Sequence, residues 1–346
     1  MYSNISYLKI LTCAALFLLG ITSCSMMHDD LENCSSGVWV KLEVTMDVEY
    51  GGKYSAQSFA DDLDNIALWV FDQSGTYINK YTEKGEVLKK NDNTMNLPIE
   101  PGWYKMVVWT GTEDINYEVP DMIPGISTME DLKVRVVRDS NNRQGNKLSS
   151  LWHGRIEKAE VKKSEYTRLS IELTKNTNTI ITVLQASGKS LDSDNYTFEI
   201  IAENGYMDYD NNLLPDPPIN YNAYLIETAQ VSDQNTIRAT SDDETSLSVA
   251  RAELNTLRLM ANDNTRFVVT EKSTDIEILN INLTEYLLLT REYYKGSNGK
   301  IMPPQAYLDY EDMFRIVFFL SPSGSTYVCT RLSINGWIVR LNDAGL

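Results

Sequence analysis

Histidine is almost missing from this chain: 346 residues hold two, His28 and His153. That leaves little material for a histidine-based metal site or a Ser-His-Asp triad, and argues against a hydrolase. Basic residues are also short, with 31 Lys and Arg against 48 Asp and Glu and a formal net charge of −17. A phosphate-binding surface needs clustered Lys and Arg, so this balance argues against a nucleic-acid partner. Four cysteines (Cys13, Cys24, Cys34 and Cys329) cannot staple a chain this long into a disulfide scaffold. Arginine is absent before Arg135 and occurs 13 times in all. No apolar run reaches the roughly 20 residues that a bilayer-spanning helix requires.

What is abundant is aromatic. Twenty tyrosines and 10% aromatic residues overall suit a β-rich, extracytoplasmic protein. At about 150 residues per domain, the length predicts two domains, each able to bury its own core.

The N-terminus reads as an address. Lys9 is the only charge in the first 28 residues, and it precedes a compact apolar run over residues 10–21. The run is too short for a span and fits the h-region of a signal peptide. It ends in Ile21-Thr22-Ser23-Cys24, an aliphatic residue and two small ones before a cysteine. This resembles the bacterial lipobox, which implies that residues 1–23 are a lipoprotein signal peptide and that Cys24 is acylated. An ordinary secretory signal or a buried apolar helix is the alternative. Each acyl chain contributes about 0.8 kcal/mol per buried methylene, so two or three chains would anchor the protein through its N-terminal lipid. Residues 24–36 then form a tether. Asp29, Asp30 and Glu32 within it resemble the surface-export signal of Bacteroidales lipoproteins, or merely solvate the segment.

From Val38 the hydrophobic period becomes two. Six apolar residues alternate over residues 38–48 and predict a long first strand. Further strands are expected over residues 66–71, 76–81, 103–109, 132–137, 155–161 and 166–173. Asp72-Gln73-Ser74-Gly75 reads as a hairpin loop and Glu100-Pro101-Gly102 as a tight turn. Short helical turns fit residues 58–63 and 128–132. A second set of strands follows the polar stretch Lys175-Asn176-Thr177-Asn178, over residues 179–184, 196–202, 221–227, 252–260, 266–271, 276–282, 314–320 and 327–332. A bulge is expected at residues 257–259, and a helix over residues 283–291 with Thr284 as N-cap. Residues 205–220 and 232–246 read as loops. The expectation is all-β: antiparallel β-sandwich domains in tandem, over residues 37–175 and 176–346.

Several segments together resemble the FimB-like fimbrial anchor lipoproteins of Bacteroidales. They are Leu68-Trp69-Val70-Phe71-Asp72, Pro101-Gly102-Trp103-Tyr104, Val108-Trp109, Leu151-Trp152-His153-Gly154, Ala202-Glu203-Asn204-Gly205-Tyr206, Tyr307-Leu308-Asp309-Tyr310-Glu311-Asp312 and Ile334-Asn335-Gly336-Trp337-Ile338-Val339-Arg340. Their order spans nearly the whole chain. The resemblance implies two transthyretin-like sandwiches and a lipid-anchored, non-enzymatic subunit of the cell outer membrane that needs no cofactor. Its partners would be fimbrial stalk or accessory subunits, joined by β-augmentation, in which main-chain hydrogen bonds supply adhesion and alternate side chains fill pockets. Stalk subunits of that class are opened by arginine-directed cleavage. With no arginine ahead of it, the first strand here is expected to stay in its own groove. The partner would then meet the C-terminal segment over residues 327–340, read as one alternating edge strand, with Ile334, Trp337, Ile338 and Val339 as the contact residues. Ile338 is assigned there to the alternate that enters an apolar pocket.

Other groups have plainer readings. Asp208, Asp210 and Asn212 have the spacing of an EF-hand loop, but the required Gly and Glu are replaced by Leu213 and Ile219, so a structural loop is expected and no metal site. Asp309, Glu311 and Asp312 read as a solvated strand-entry loop, His153 as a core or turn residue, and Trp109, Trp152 and Trp337 as core fillers. Cys34 and Cys329 could pair if the fold brings them together. The rival function is a surface glycan-binding lipoprotein, with Tyr206, Tyr209, Tyr221 and Tyr224 as its exposed aromatic platform.

Overall fold

The computed structural model describes residues 37–44, 59, 61–163, 166–186, 189–231, 247–295, 299–323 and 326–340. The expected signal peptide and tether over residues 1–36, with Cys24 and Cys34, residues 45–48 of the expected first strand and the expected loop over residues 232–246 lie outside them. In chain order the strands are β1 (Val38–Val44), β2 (Asn65–Asp72), β3 (Tyr77–Lys84), β4 (Thr94–Leu97), β5 (Gly102–Thr110), β6 (Tyr117–Glu118), β7 (Lys133–Val136), β8 (Arg143–Gln144), β9 (Trp152–Val161) and β10 (Thr167–Lys175). After Asn176 come β11 (Thr177–Ala186), β12 (Tyr196–Ala202), β13 (Tyr206–Asp208), β14 (Ile219–Asn222), β15 (Leu225–Val231), β16 (Leu247–Leu257), β17 (Arg266–Glu271), β18 (Ile276–Asn282), β19 (Met313–Ser323), β20 (Thr326–Ile334) and β21 (Trp337–Arg340). Short helices α1 (Gly85–Lys90), α2 (Leu283–Leu288) and α3 (Pro304–Tyr310) interrupt them. The all-β expectation holds.

The first seven-stranded sheet runs β3-β2-β5-β9-β10-β1-β4. It nearly parts between β9 and β10, which pair only at Thr174 with His153 and Lys175 with Trp152. The two parts close on a common core that takes Ile66, Leu68 and Val70 from β2, Val108 from β5, and Ile171 and Leu173 from β10. Gly154 permits the crossing. A Cβ there would lie 2.4 Å from both the Glu172 carbonyl oxygen and Leu173 Cδ2. The opposite face of β2, with Ala67, Trp69 and Phe71, is buried too, which explains why residues 66–71 form an unbroken apolar run.

That second face belongs to a larger core shared with the later strands. A six-stranded sheet, β15-β16-β11-β19-β20-β21, contributes to it together with a five-stranded sheet, β18-β17-β12-β14-β8. Phe267 of β17 and Phe318 of β19 stack with centroids 5.6 Å apart. Strands from the first half are lent across: β8 pairs with β14, and β7 pairs with β13 in a small sheet β13-β7-β6. The sheets are mixed, with β1/β10, β11/β19 and β14/β8 parallel.

Several local expectations need correction. The α2 helix ends at Leu288, and its N-cap is Asn282, whose side chain accepts from the Glu285 N–H at 3.3 Å. Thr284 instead donates to the Asp263 carbonyl at 2.9 Å. The expected strand over residues 221–227 is two strands, because Ala223 N bonds to Phe198 and Tyr224 N to Glu253, turning the chain from one sheet to the other. No bulge interrupts β16, which ends cleanly at Leu257. The carboxylates of the Asp309–Asp312 stretch are not a solvated loop: Tyr307 to Tyr310 are helical, and Glu311 is buried. Trp109 and Trp152 are core residues, whereas Trp337 is 43% exposed.

Between β10 and β11 only Asn176 intervenes, and the halves meet there in a polar cluster. Lys175 Nζ reaches Asp62 at 2.7 Å and Asp312 at 2.8 Å. Burial by itself lowers the pKa of such an ammonium, but the two carboxylates outweigh it and hold the pKa above its ordinary value. Asn176 and Asn211 exchange side-chain hydrogen bonds at 2.7 and 3.2 Å. Arg258 grips Asp309 with two bonds of 2.7 Å and reaches the Asn211 carbonyl. Asp208 caps its own loop, accepting from Asp210 N at 2.8 Å and Asn212 N at 2.9 Å, while Asp210 pairs with Arg155. Among the described residues, no group of three or more His, Cys, Asp or Glu is placed to hold a metal ion.

His153 is buried beside this cluster. Its Nε2–H donates to the Tyr209 carbonyl at 2.9 Å, and its ring lies 4.5 Å from that of Trp109. Burial lowers its pKa from 6.5 to about 4, so the folded protein keeps the ring neutral. The unfolded chain binds the proton first as pH falls. Stability contributed by neutral His153 is therefore complete above pH 6.5 and lost as pH falls toward 4, by about 3 kcal/mol in all. Urea unfolding across that range should show this slope, and His153→Gln should flatten it relative to wild type. Gly154→Ala should cost about 2–3 kcal/mol in the same assay, because the Glu172 backbone carbonyl cannot give way to the added methyl even where the Leu173 and Ile171 side chains can.

Candidate functional site: the C-terminal sheet edge and the first strand

The partner-binding residues expected from sequence fall at the end of the six-stranded sheet, and their arrangement differs from a single strand. Asn335 and Gly336 have φ of 49° and 86°, a two-residue turn of the left-handed kind that suits Asn-Gly. The segment over residues 327–340 is therefore a hairpin, β20 to β21, with Ile334 opposite Trp337 and Ser333 opposite Ile338. The Asn-Gly dipeptide between two apolar stretches carried that signal. Asn335 also seats the turn on β19, its amide group and backbone N–H each bonding the Arg315 backbone at 2.8 Å.

The four candidates separate accordingly. Ile334 lies on β20 and is fully buried, so it builds the core rather than the edge. Val339 packs against that core from β21. Trp337 shares the inner face, but its ring is covered by Tyr293 at 3.8 Å in a parallel stack. Ile338 points the other way and is 59% exposed, so it is not the buried alternate that the strand pattern suggested. β21 is the last strand of its sheet. Cys329, on β20, is buried, and its thiol donates to the Arg331 carbonyl at 3.3 Å.

At the other end of the chain, β1 lies between two strands of its own sheet. It pairs over seven residues with β10 in parallel and over four with β4 in antiparallel fashion. Val38 is fully buried in the first core.

The tyrosine platform does not assemble. Tyr221 is buried, with its hydroxyl donating to Asn204 at 2.9 Å, and that burial raises its pKa. Tyr224 is engaged by Glu253 at 2.7 Å, and Tyr206 lies under the Arg135 guanidinium at 4.0 Å. Tyr209 gives its carbonyl to His153.

The chain is 22% identical over 331 residues to the minor fimbrium anchoring subunit Mfa2 of Porphyromonas gingivalis, covering 92% of this chain and 90% of that one. A solved structure from Bacteroides thetaiotaomicron, described as a candidate adhesin, superposes with a TM-score of 0.71 at 30% identity, covering 88% of this chain and 98% of that one. Another from the same organism, described as a candidate polysaccharide-binding protein, gives a TM-score of 0.72 at 28% identity over 90% and 99% of the two chains. The sequence profile of the fimbrillin-A associated anchor proteins Mfa1 and Mfa2 matches residues 31–343, and the chain belongs to that family.

Proposed function

We propose that this chain is a lipid-anchored fimbrial anchor of the cell outer membrane, acylated at Cys24 after removal of residues 1–23. It holds a fimbrial polymer through strand-mediated subunit contacts. On this reading residues 24–36 are the tether, and the sandwiches over residues 37–175 and 176–346 are the body. The observation that carries the proposal is the place of β1. A tether only 13 residues long, at most about 47 Å, leads from Cys24 to a strand paired on both sides. Lipid and body are thereby one covalent piece, as an anchor requires. Among the described residues, the chain's own first strand fills the place between β10 and β4, so a neighbour's strand cannot enter there. The hairpin edge of β21 offers main-chain groups instead, with Ile338 projecting beside them. The reading also explains a body without any helix long and apolar enough to cross a membrane among the described residues.

Cys24→Ala should lose fatty-acid label and leave the outer-membrane fraction. A mutant that keeps both would refute the lipid attachment. Ile338→Asp should fold normally, since the residue is exposed, yet shed fimbriae into the medium, because a charge is costly to bury in a partner's apolar pocket. Fully cell-attached fimbriae in that strain would remove the β21 edge from the mechanism.

A further inference from the structure

The six-stranded sheet has a second face, turned away from the shared core. Registers place Ile181 and Val183 of β11 beside Arg315 and Val317 of β19 on that face. Phe319 follows, opposite Arg331 of β20, and Ile338 lies opposite Ser333. The apolar members are half-buried or exposed, so an apolar stripe reaches from the middle of the sheet to its β21 edge. Among the described residues, no helix packs on it to the extent that α2 packs on β17 and β18.

The charge of this region departs from the rest of the molecule. Across β11, β19, β20 and β21 there are three arginines, Arg315, Arg331 and Arg340, and not one Asp or Glu. The whole chain carries −17. Arg315 and Arg331 are exposed, and among the described residues neither guanidinium has a carboxylate partner; Arg331 stacks on Phe319 at 4.0 Å. Arg251, on the neighbouring strand, is by contrast held by Glu227 and Glu253. An open cleft of about 540 Å³ lined by Tyr294, Glu311, Met313, Arg315, Asn335 and Gly336 ends the face, and Glu311, its one carboxylate, is buried. Arginine, aromatic and aliphatic side chains on a flat surface are the composition of interface anchor points.

We propose that this face docks an acidic segment of the attached fimbrial subunit, its carboxylates on Arg315 and Arg331 and its apolar side chains on the Val317–Phe319 stripe. The proposal rests on the reading that the C-terminal edge takes the partner, and it adds the partner's chemistry. A second copy of this chain fits poorly, because pairing by the same face would set arginines against arginines between two strongly acidic bodies.

The test uses the mature protein, immobilised, and fimbriae sheared from cells that lack it, with binding measured at low and high salt. Arg315→Glu with Arg331→Glu should weaken binding by about tenfold or more and flatten its salt dependence. Arg315→Gln with Arg331→Gln should give a smaller loss in the same direction. Lys158→Glu, an exposed reversal beside Trp103 on β9, should change nothing. If Ile338→Asp abolishes binding while both arginine pairs bind as wild type, the edge reading stands and this proposal falls. If wild type does not bind fimbriae, both fall. Arginine-dependent binding to vesicles of anionic lipid, or arginine-dependent dimers in sedimentation, would assign the face to a membrane or a second copy and overturn the proposal.

Discussion

The structure turns on the passage from β10 to β11. A strand that ends one half and a strand that begins the other are separated by Asn176 alone, so their directions and depths are fixed together. Lys175 is drawn into the interior at this point and is tolerable there only because Asp62 and Asp312, one from each half, meet it. Breaking either contact would leave a charge in a place that water does not easily reach. The polar cluster around it, with the Asn176–Asn211 pair and the Arg258–Asp309 fork, performs the same task for the backbone and loops at the joint. From this point β11 runs into the centre of the six-stranded sheet, with β16 on one side and β19 on the other. The hairpin edge and the arginine-bearing face are built outward from it.

The close crossing at Gly154 has a related role. β9 and β10 share only two ladder positions, both beside the joint, and then diverge to opposite walls of the first core. Tight approach at one end and separation at the other are what convert a single sheet into a sandwich. The same divergence frees the outer face of β2 and β5 to join the larger core, so the two halves are packed through side chains as well as joined by chain.

Much of this was legible in the residues. Alternation from Val38 marked β1, the apolar run over residues 66–71 marked β2, and Asp72 with Gly75 marked the turn between β2 and β3, where Asp72 accepts from Thr76 N at 2.9 Å. Period two states that a strand exists, not which strand lies beside it. The parallel pairing of β1 with β10, and the lending of β7 and β8 to later strands, depend on contacts far apart in sequence and leave no local mark. At the candidate site, alternation marked residues 327–340 as strand but missed the turn within them. Reading residues 327–340 as one strand passed over Asn335-Gly336, and without the turn the facing of Ile338 could not be assigned. The missing carboxylates of β11 and β19 to β21 were visible as composition, yet acquired meaning only when the topology set those strands side by side.

The parallel pairing of β1 and β10 has a mechanical consequence. On the proposed reading a tether enters β1 at its N-terminal end, while β10 leaves the sheet at its C-terminal end toward β11, so the two points of attachment would lie at opposite ends of one ladder. Tension between tether and second half therefore runs along the strands and loads the hydrogen bonds of the seven-residue register in shear, all together. A hairpin pulled at its open end yields one bond at a time. This geometry makes the first sandwich a clamp that resists traction best along the line on which a surface filament would pull.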